Sequence, residues 1–554
     1  MPETSQFDAV GTSGTQPNTD ASPSERVRTA CAYGNYEQLT AAVEEDPDLL
    51  STPDEMGYYP LQWAALNNRV GIIAYLIDKG VNVNRADGTG QTALHWAAVR
   101  GSLLAAEALL GNEADLRLRD GRGYTACHVA AQYGQTAFIY MVALRWRADV
   151  DSPDVDGRTP LHWAAYKGYA NTLRLLIVLE ASLTLGDREG CTPLHWAAIR
   201  GNSEACTVLL QAGAGSVLNA PDSTGMVPAQ LAREKGHRFL AHYLEEYASR
   251  HVNKSRHWTQ RAAVSWLLNT QLCPLIWALI LGLLAALVYK VVLHPAYGPP
   301  SSAMLAWTWI CVLLASAGLV LLYKTTTSDP GFLPCRDSEQ QSKGKDENGP
   351  QYDRLKALDS AVLRAGNWNQ LCVTCKIVRP LRAKHCAVTN RCVAMFDHFC
   401  PWVGNCIGAG NRHLFALFLW LEMGAILVAA GLAAARLRWG GQNMGEGAMT
   451  WTAVFLVVDV FLGLSVGALS VTQAMQIAKN TTTNEMANWT RYKYLHGDDG
   501  TFRNPFNRGC WQNCSEAMCG KSGTAVQLHP ESIELTSLLK MEEGQNTNGL
   551  PYRQ

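Results

Sequence analysis

The sequence predicts a mostly α-helical chain: a solenoid of stacked helical repeats, then a four-helix transmembrane bundle carrying a small cytosolic, zinc-binding, cysteine-rich domain. Three observations carry that prediction. Glycines recur with a period of 33 to 35 at Gly57, Gly90, Gly123, Gly157, Gly190 and Gly225, four later runs are apolar enough to span a bilayer, and six of the 16 cysteines crowd between Cys372 and Cys406. At 554 residues the chain exceeds one core, and its balance of 47 basic to 48 acidic residues argues against a nucleic-acid binder.

Residues 1–24 are polar and rich in Ser, Thr and Pro. They read as a disordered N-terminus without a signal peptide, which leaves the N-terminal half of the chain in the cytosol. From 25 to 248 the period is that of ankyrin repeats. Leu94-His95-Trp96-Ala97-Ala98, Leu161-His162-Trp163-Ala164-Ala165 and Leu194-His195-Trp196-Ala197-Ala198 are near-copies of one helix core, with small alanines that let stacked helices approach. Six repeats are clear, and Arg26 to about Leu50 reads as an N-terminal cap. His95, His128, His162 and His195 recur at helix starts, which points to structural hydrogen bonds rather than metal binding. The concave face of such a stack suits protein partners, here substrate proteins, with a plain scaffold as the alternative.

A membrane-proximal linker, 249–272, contains Trp258 to Leu268, which is amphipathic enough to lie on a bilayer surface. The apolar runs at about 273–293, 303–323, 413–435 and 451–473 then predict helices 1 and 2 within 273–323 and helices 3 and 4 within 413–473. Arg250, Lys254, Arg256 and Arg261 precede the first run, and His294 to Ser302 carries no Lys or Arg. The positive-inside rule therefore puts both termini and the 324–412 loop in the cytosol, although Arg436 and Arg438 weaken the asymmetry. A reducing compartment also suits a cluster of free thiols. The linker Asp337 to Pro350 and the tail from about 520 to 554 read as disordered, with a cytosolic segment 474–519 between the last helix and that tail.

Within 369–412 one spacing occurs twice. Cys372, Cys375, His385 and Cys392 complete a three-thiol, one-imidazole set suited to tetrahedral zinc. Fourteen residues on, the same ladder falls on Cys386, Thr389, Phe399 and Cys406, so two of its four ligands are missing. One zinc per chain follows, with Phe399 packing where the second would have been. Cys400 belongs to neither ladder and is the candidate nucleophile. A reactive thiol needs a base and a group to orient that base, and His398 and Asp397 stand beside it.

Lys376 to Cys386 together with Asp397-His398-Phe399-Cys400-Pro401-Trp402-Val403-Gly404-Asn405-Cys406 resembles the cysteine-rich domain of DHHC protein S-acyltransferases, here with a DHFC form of the motif. Asp329-Pro330-Gly331, Asn411, Thr482-Thr483-Asn484-Glu485 and Asn504-Pro505-Phe506 fit the same family, so the resemblance runs from about 260 to 515. It implies an enzyme that loads a long-chain acyl group, such as palmitoyl, from acyl-CoA onto Cys400 and passes it to a substrate cysteine. Asp397 would orient His398, and His398 would activate Cys400. It further implies a multi-pass endomembrane protein, the Golgi first among the candidates.

Arg379, Arg382 and Lys384 are candidates to grip the phosphates of CoA, with Lys376 and Arg391 as helpers. Glu422 and Asp459 are costly acids inside the spans. They are expected to hydrogen-bond within the bundle, with a role in shaping an acyl cavity as the second reading. Thr482 to Glu485 reads as a brace near the site, and Asp329 as turn chemistry, in reach of that brace. The competing reading of the whole chain is a catalytically inactive ankyrin scaffold tethered to a membrane, suggested by the damaged second ladder.

Overall fold

The computed structural model describes residues 22–251, 272–335, 358–439, 446–497 and 499–518. The segments expected to be disordered, apart from residues 22–24, lie outside them, as does the amphipathic stretch Trp258 to Leu268. The chain divides into two compact units, one built from the N-terminal repeats together with Leu358 and Asp359, the other from the membrane helices, the cysteine-rich region and the C-terminal segment.

The first unit is a stack of seven antiparallel helix pairs, from Pro23–Tyr33 with Tyr36–Glu45 to Pro228–Glu234 with Arg238–His251. The period in the sequence is thus the repeat of the solenoid, and the Arg26–Leu50 segment supplies its first pair. Gly90 shows why glycine marks the period. Its φ is +82°, and a Cβ there would run into the backbone of Asp120 and Gly121 in the following repeat.

The repeated histidines lock each pair to the next. Nδ1 of His95, His128, His162 and His195 accepts from the N–H of Thr92, Thr125, Thr159 and Thr192, closing a capping box. Nε2 donates to the carbonyls of Tyr124, Arg158, Cys191 and Ala220 at 2.9–3.1 Å. Burial disfavours the imidazolium and pushes the pKa values of His128 and His162 down to about 4, so each ring stays neutral with one donor and one acceptor in use. Leu358 belongs to this unit: it is buried, and its carbonyl accepts from the Tyr140 hydroxyl at 2.9 Å.

Among the described residues the second unit contains four helices long and apolar enough to cross a membrane, Cys273–Val292, Ser302–Thr327, Arg412–Arg438 and Gly447–Ala478, within a residue or a few of the predicted spans. Cys311 and Ala315 of the second span pack against Ala425 and Ala429 of the third. Small residues at that crossing allow close approach, and Cys311 donates through Sγ to the Ala425 carbonyl at 3.4 Å. Arg436, which clouded the charge asymmetry, is buried. It donates to the carbonyls of Val292, the last residue of the first span, and of Tyr297 beyond it, so it serves as a cap rather than a free charge.

Between the second and third spans, six short strands form three antiparallel hairpins: β1 (Leu371–Cys372) with β2 (Ile377–Val378), β3 (Lys384–Cys386) with β4 (Arg391–Val393), and β5 (His398–Cys400) with β6 (Asn405–Ile407). The turn after the second span joins this layer. Phe332 bridges Val393, and the Leu333 N–H donates to the Cys392 carbonyl at 2.8 Å.

Candidate active site and metal centre

The β3–β4 register sets His385 opposite Cys392, and the loop after β1 brings Cys375 round to Cys372. The four ligand atoms lie within 4.8 Å of one another, the only such group among the described residues. His385 Nδ1 is 3.6, 3.4 and 3.8 Å from the sulfurs of Cys372, Cys375 and Cys392. Zinc bonds of about 2.3 Å to sulfur and 2.0 Å to nitrogen at a tetrahedral angle require roughly 3.5 Å between such donors, so the set fits that metal. The second ladder also converges. Phe399 pairs with Cys406 across β5–β6, Thr389 Oγ1 lies 3.6 Å from Cys406 Sγ, and Cys386, Cys406, Phe396, Phe399 and Phe332 form one apolar cluster. At the two remaining ladder positions stand a hydroxyl and a phenyl ring.

The β5 strand that carries Phe399 also carries His398 and Cys400. Asp397, 1% exposed, places Oδ2 2.7 Å from His398 Nδ1, and the same ring interacts with the Cys400 side chain two residues on. The same carboxylate accepts the Thr483 N–H at 2.6 Å, the Thr483 hydroxyl at 2.9 Å and Gln473 Nε2 at 3.4 Å. Burial acts to raise the Asp397 pKa. The bond to His398, the nearby Arg412 guanidinium and the Thr483 N–H outweigh it and hold the carboxyl below its ordinary value. For His398, burial opposes charge, but the bonds to Asp397 and Cys400 prevail and lift its pKa to about 9. At neutral pH the arrangement is an imidazolium held between a carboxylate and a sulfur.

Thr482-Thr483-Asn484-Glu485 braces the site as expected. Thr482 caps the short helix Thr483–Asn488 in a reciprocal box with Glu485. Glu485 takes two bonds from Arg382, at 2.7 and 2.9 Å, with the two side chains 2% and 5% exposed respectively. Arg382 also donates to Asn480 and lies over the Phe506 ring. Nε and one Nη of Arg382 thus serve Glu485 and the other Nη serves Asn480, which ties this basic residue to the brace. Asp329, in turn, caps the N–H groups of Gly331 and Phe332 at 2.8 and 2.7 Å, which is turn chemistry; among the described residues it bonds no side chain of the brace.

Arg379 bonds the carbonyls of Asn369 and Gln370, and Lys384 donates to Asn484. Burial, and then repulsion from Arg379 and Arg491, holds the Lys384 pKa below its ordinary value, so these three cations form one cluster. Arg391 covers the Phe332 ring at 4.3 Å. Reading of the sequence missed Arg491 and Gln473, which come from segments remote in sequence and sit in no recognisable spacing. It also passed over Asn405, inside the quoted motif. Asn405 Nδ2 donates to the carbonyls of Thr325, Thr326 and Ser328, pinning the β5–β6 hairpin to the end of the second span.

Below Cys400 a cavity of about 370 Å³ runs among the spans, lined mainly by apolar side chains such as Phe415, Leu419 and Phe455. Glu422 and Asp459 line it too. The expected hydrogen bonds within the bundle are not found for Glu422 Oε1 or Asp459 Oδ2, because the walls around them are hydrocarbon.

Fold and site together define a membrane-spanning protein with a cysteine-rich head, its ligand cluster suited to a metal, over an apolar cavity, and a repeat module N-terminal to it. Residues 366–490 match the family described as DHHC palmitoyltransferase, and 28–120, 100–187 and 189–223 match ankyrin repeats. The chain is 39% identical over 534 residues to "Probable protein S-acyltransferase 23" of Arabidopsis thaliana, covering 93% of this chain and 97% of that one. It is 31% identical over 593 residues to "Palmitoyltransferase ZDHHC17" of Danio rerio (95% and 92% covered), and 30% identical to the Homo sapiens protein of that name (87% and 84% covered). The chain belongs to the ankyrin-bearing DHHC palmitoyltransferases, membrane enzymes of protein S-acyl transfer.

Proposed function

We propose that Cys400 is the acyl carrier, His398 its proton partner and Asp397 the residue that orients and charges His398. The observation that supports this most directly is the Asp397–His398–Cys400 line, with its 2.7 Å first link. The Cys400 thiolate, stabilised by the imidazolium, attacks the thioester carbonyl of a long-chain acyl-CoA. The carbon–sulfur bond to CoA breaks, and the departing thiolate takes a proton from His398. A substrate thiol then returns a proton to His398 as its sulfur attacks the acyl-Cys400 carbonyl, releasing the Cys400 thiolate. The apolar cavity beneath receives the chain.

One zinc per chain, on Cys372, Cys375, His385 and Cys392, orders the hairpins when bound and takes no part in the transfer. Arg379, Lys384 and Arg491 hold the CoA phosphates, with Arg382 fixing the brace behind them. The ankyrin face recruits substrate proteins. The head, the repeats and both termini face the cytosol of an endomembrane, the Golgi first among them.

The test is incubation of the purified protein with labelled palmitoyl-CoA. A hydroxylamine-sensitive label on the wild type, absent from Cys400→Ala, is expected. Failure of the folded wild type to label, beside a family enzyme that does, would return the chain to the scaffold reading.

A further inference from the structure

Two acids sit where an acyl chain has to pass. Glu422 is 7% exposed and Asp459 2%, both line the cavity, and Glu422 Oε1 and Asp459 Oδ2 have no hydrogen-bond partner. Phe415 meets the His398 ring edge-on, 5.6 Å between centroids. Glu422 follows it by two helical turns, about 10 Å deeper at 1.5 Å per residue. Asp459 lies one turn from Phe455, on the other side of the same cavity. The space for Glu422 is built in: a Cβ on Gly318 of the second span would collide with Glu422 Oε1.

Ionisable groups at this depth are costly and mark places where a ligand or water is handled. A saturated chain lying along them displaces any water they hold and offers nothing in return, so it leaves Glu422 Oε1 and Asp459 Oδ2 without partners. A chain with a hydroxyl in its distal half restores a hydrogen bond.

We infer that Glu422 and Asp459 set the acyl-chain specificity of this enzyme, favouring acyl-CoA whose chain carries a hydroxyl group in its distal half over the unsubstituted chain of equal length. This rests on the reading of Cys400 as the acyl carrier. Its test compares two donors on the same loaded residue, so a failure of either idea is visible separately.

The measurement is competitive loading of Cys400 in the full-length protein by palmitoyl-CoA and ω-hydroxypalmitoyl-CoA, read by mass spectrometry of the hydroxylamine-labile adducts. The wild type should favour the hydroxylated chain. Glu422→Leu with Asp459→Leu should cut that preference by about fivefold, the worth of one net hydrogen bond. Glu422→Gln with Asp459→Asn should keep it, since amides still offer partners. Being a ratio within one sample, the readout does not depend on how much variant folds; where the double leucine variant yields none, the single Glu422→Met and Asp459→Leu variants replace it. Equal loading of both donors in the wild type, or a preference unmoved by leucine, would overturn the inference. No loading by either donor would instead count against Cys400.

Discussion

Thr483 donates its backbone N–H and its hydroxyl to the carboxylate of Asp397, at 2.6 and 2.9 Å, across 86 residues of sequence. The short helix after the fourth span thereby fixes the carboxylate that bonds His398. Thr483→Ala keeps the N–H bond and loses the hydroxyl bond to a charged acceptor, worth about 2 kcal/mol, or roughly thirtyfold if it falls on the reaction. Acyl-enzyme formation should slow to that degree while metal content stays constant, and Thr483→Ser should recover it. A serine variant as slow as the alanine one would make the contact merely structural.

The Asp397–His398 pair predicts a pH dependence. His398 rises from 6.5 to about 9 on folding, so the stability the pair contributes is complete below about 6.5 and is lost as pH rises through about 9. The difference in thermal midpoint between the wild type and Asp397→Asn should therefore be largest at the acid end of that window and close towards its alkaline end. Alkylation of Cys400 by iodoacetamide at neutral pH should also slow in Asp397→Asn, because the carboxylate that favours an imidazolium beside the sulfur is gone. A midpoint difference that stays flat with pH would remove charge from the pair.

Arg382→Ala leaves Glu485 buried without its partner, an omission that costs about 3–5 kcal/mol. The variant should show a depressed thermal midpoint and little soluble yield in detergent. Arg379→Ala and Arg491→Ala should keep the midpoint and instead raise the KM for acyl-CoA, each removing one cation from the cluster beside Lys384. If Arg382→Ala were as stable as the wild type and changed only KM, the assignment of the brace would be reversed.

Elemental analysis should find about one zinc per chain. Cys375→Ser should lose it and Cys386→Ser should not. Thr389→Cys combined with Phe399→His should carry the count towards two, and either change alone should do little. A stoichiometry near two in the unaltered protein would mean that Cys386 and Cys406 recruit ligands from elsewhere.

The features legible in the sequence were those with a period or a spacing. The ankyrin repeats showed through Gly57 to Gly225, the spans through length and hydropathy, and the four metal ligands through their ladder. The pairing of Thr483 with Asp397 was half visible, since the brace could be placed near the site but its acceptor could not be named. Gln473, Arg491 and the inward turn of Arg382 were invisible, because each depends on how a helix end rotates against a hairpin from elsewhere in the chain. The partners of Arg382 were hidden for a related reason: a basic residue in a cytosolic loop looks the same whether it faces a phosphate or a buried carboxylate. The bare carboxyls of Glu422 and Asp459 were likewise hidden, since composition shows that an acid lies in a span and not what it touches.

The cluster of Phe399 with Cys386, Cys406, Phe396 and Phe332 gives the hairpin that carries Cys400 an apolar seal of its own. Chelation strips the ligands of the β1–β2 and β3–β4 hairpins and leaves that seal untouched. Under metal starvation Cys400 should therefore keep its place longer than in a Thr389→Cys, Phe399→His variant that ligates both positions, trading tightness of one joint for independence from supply.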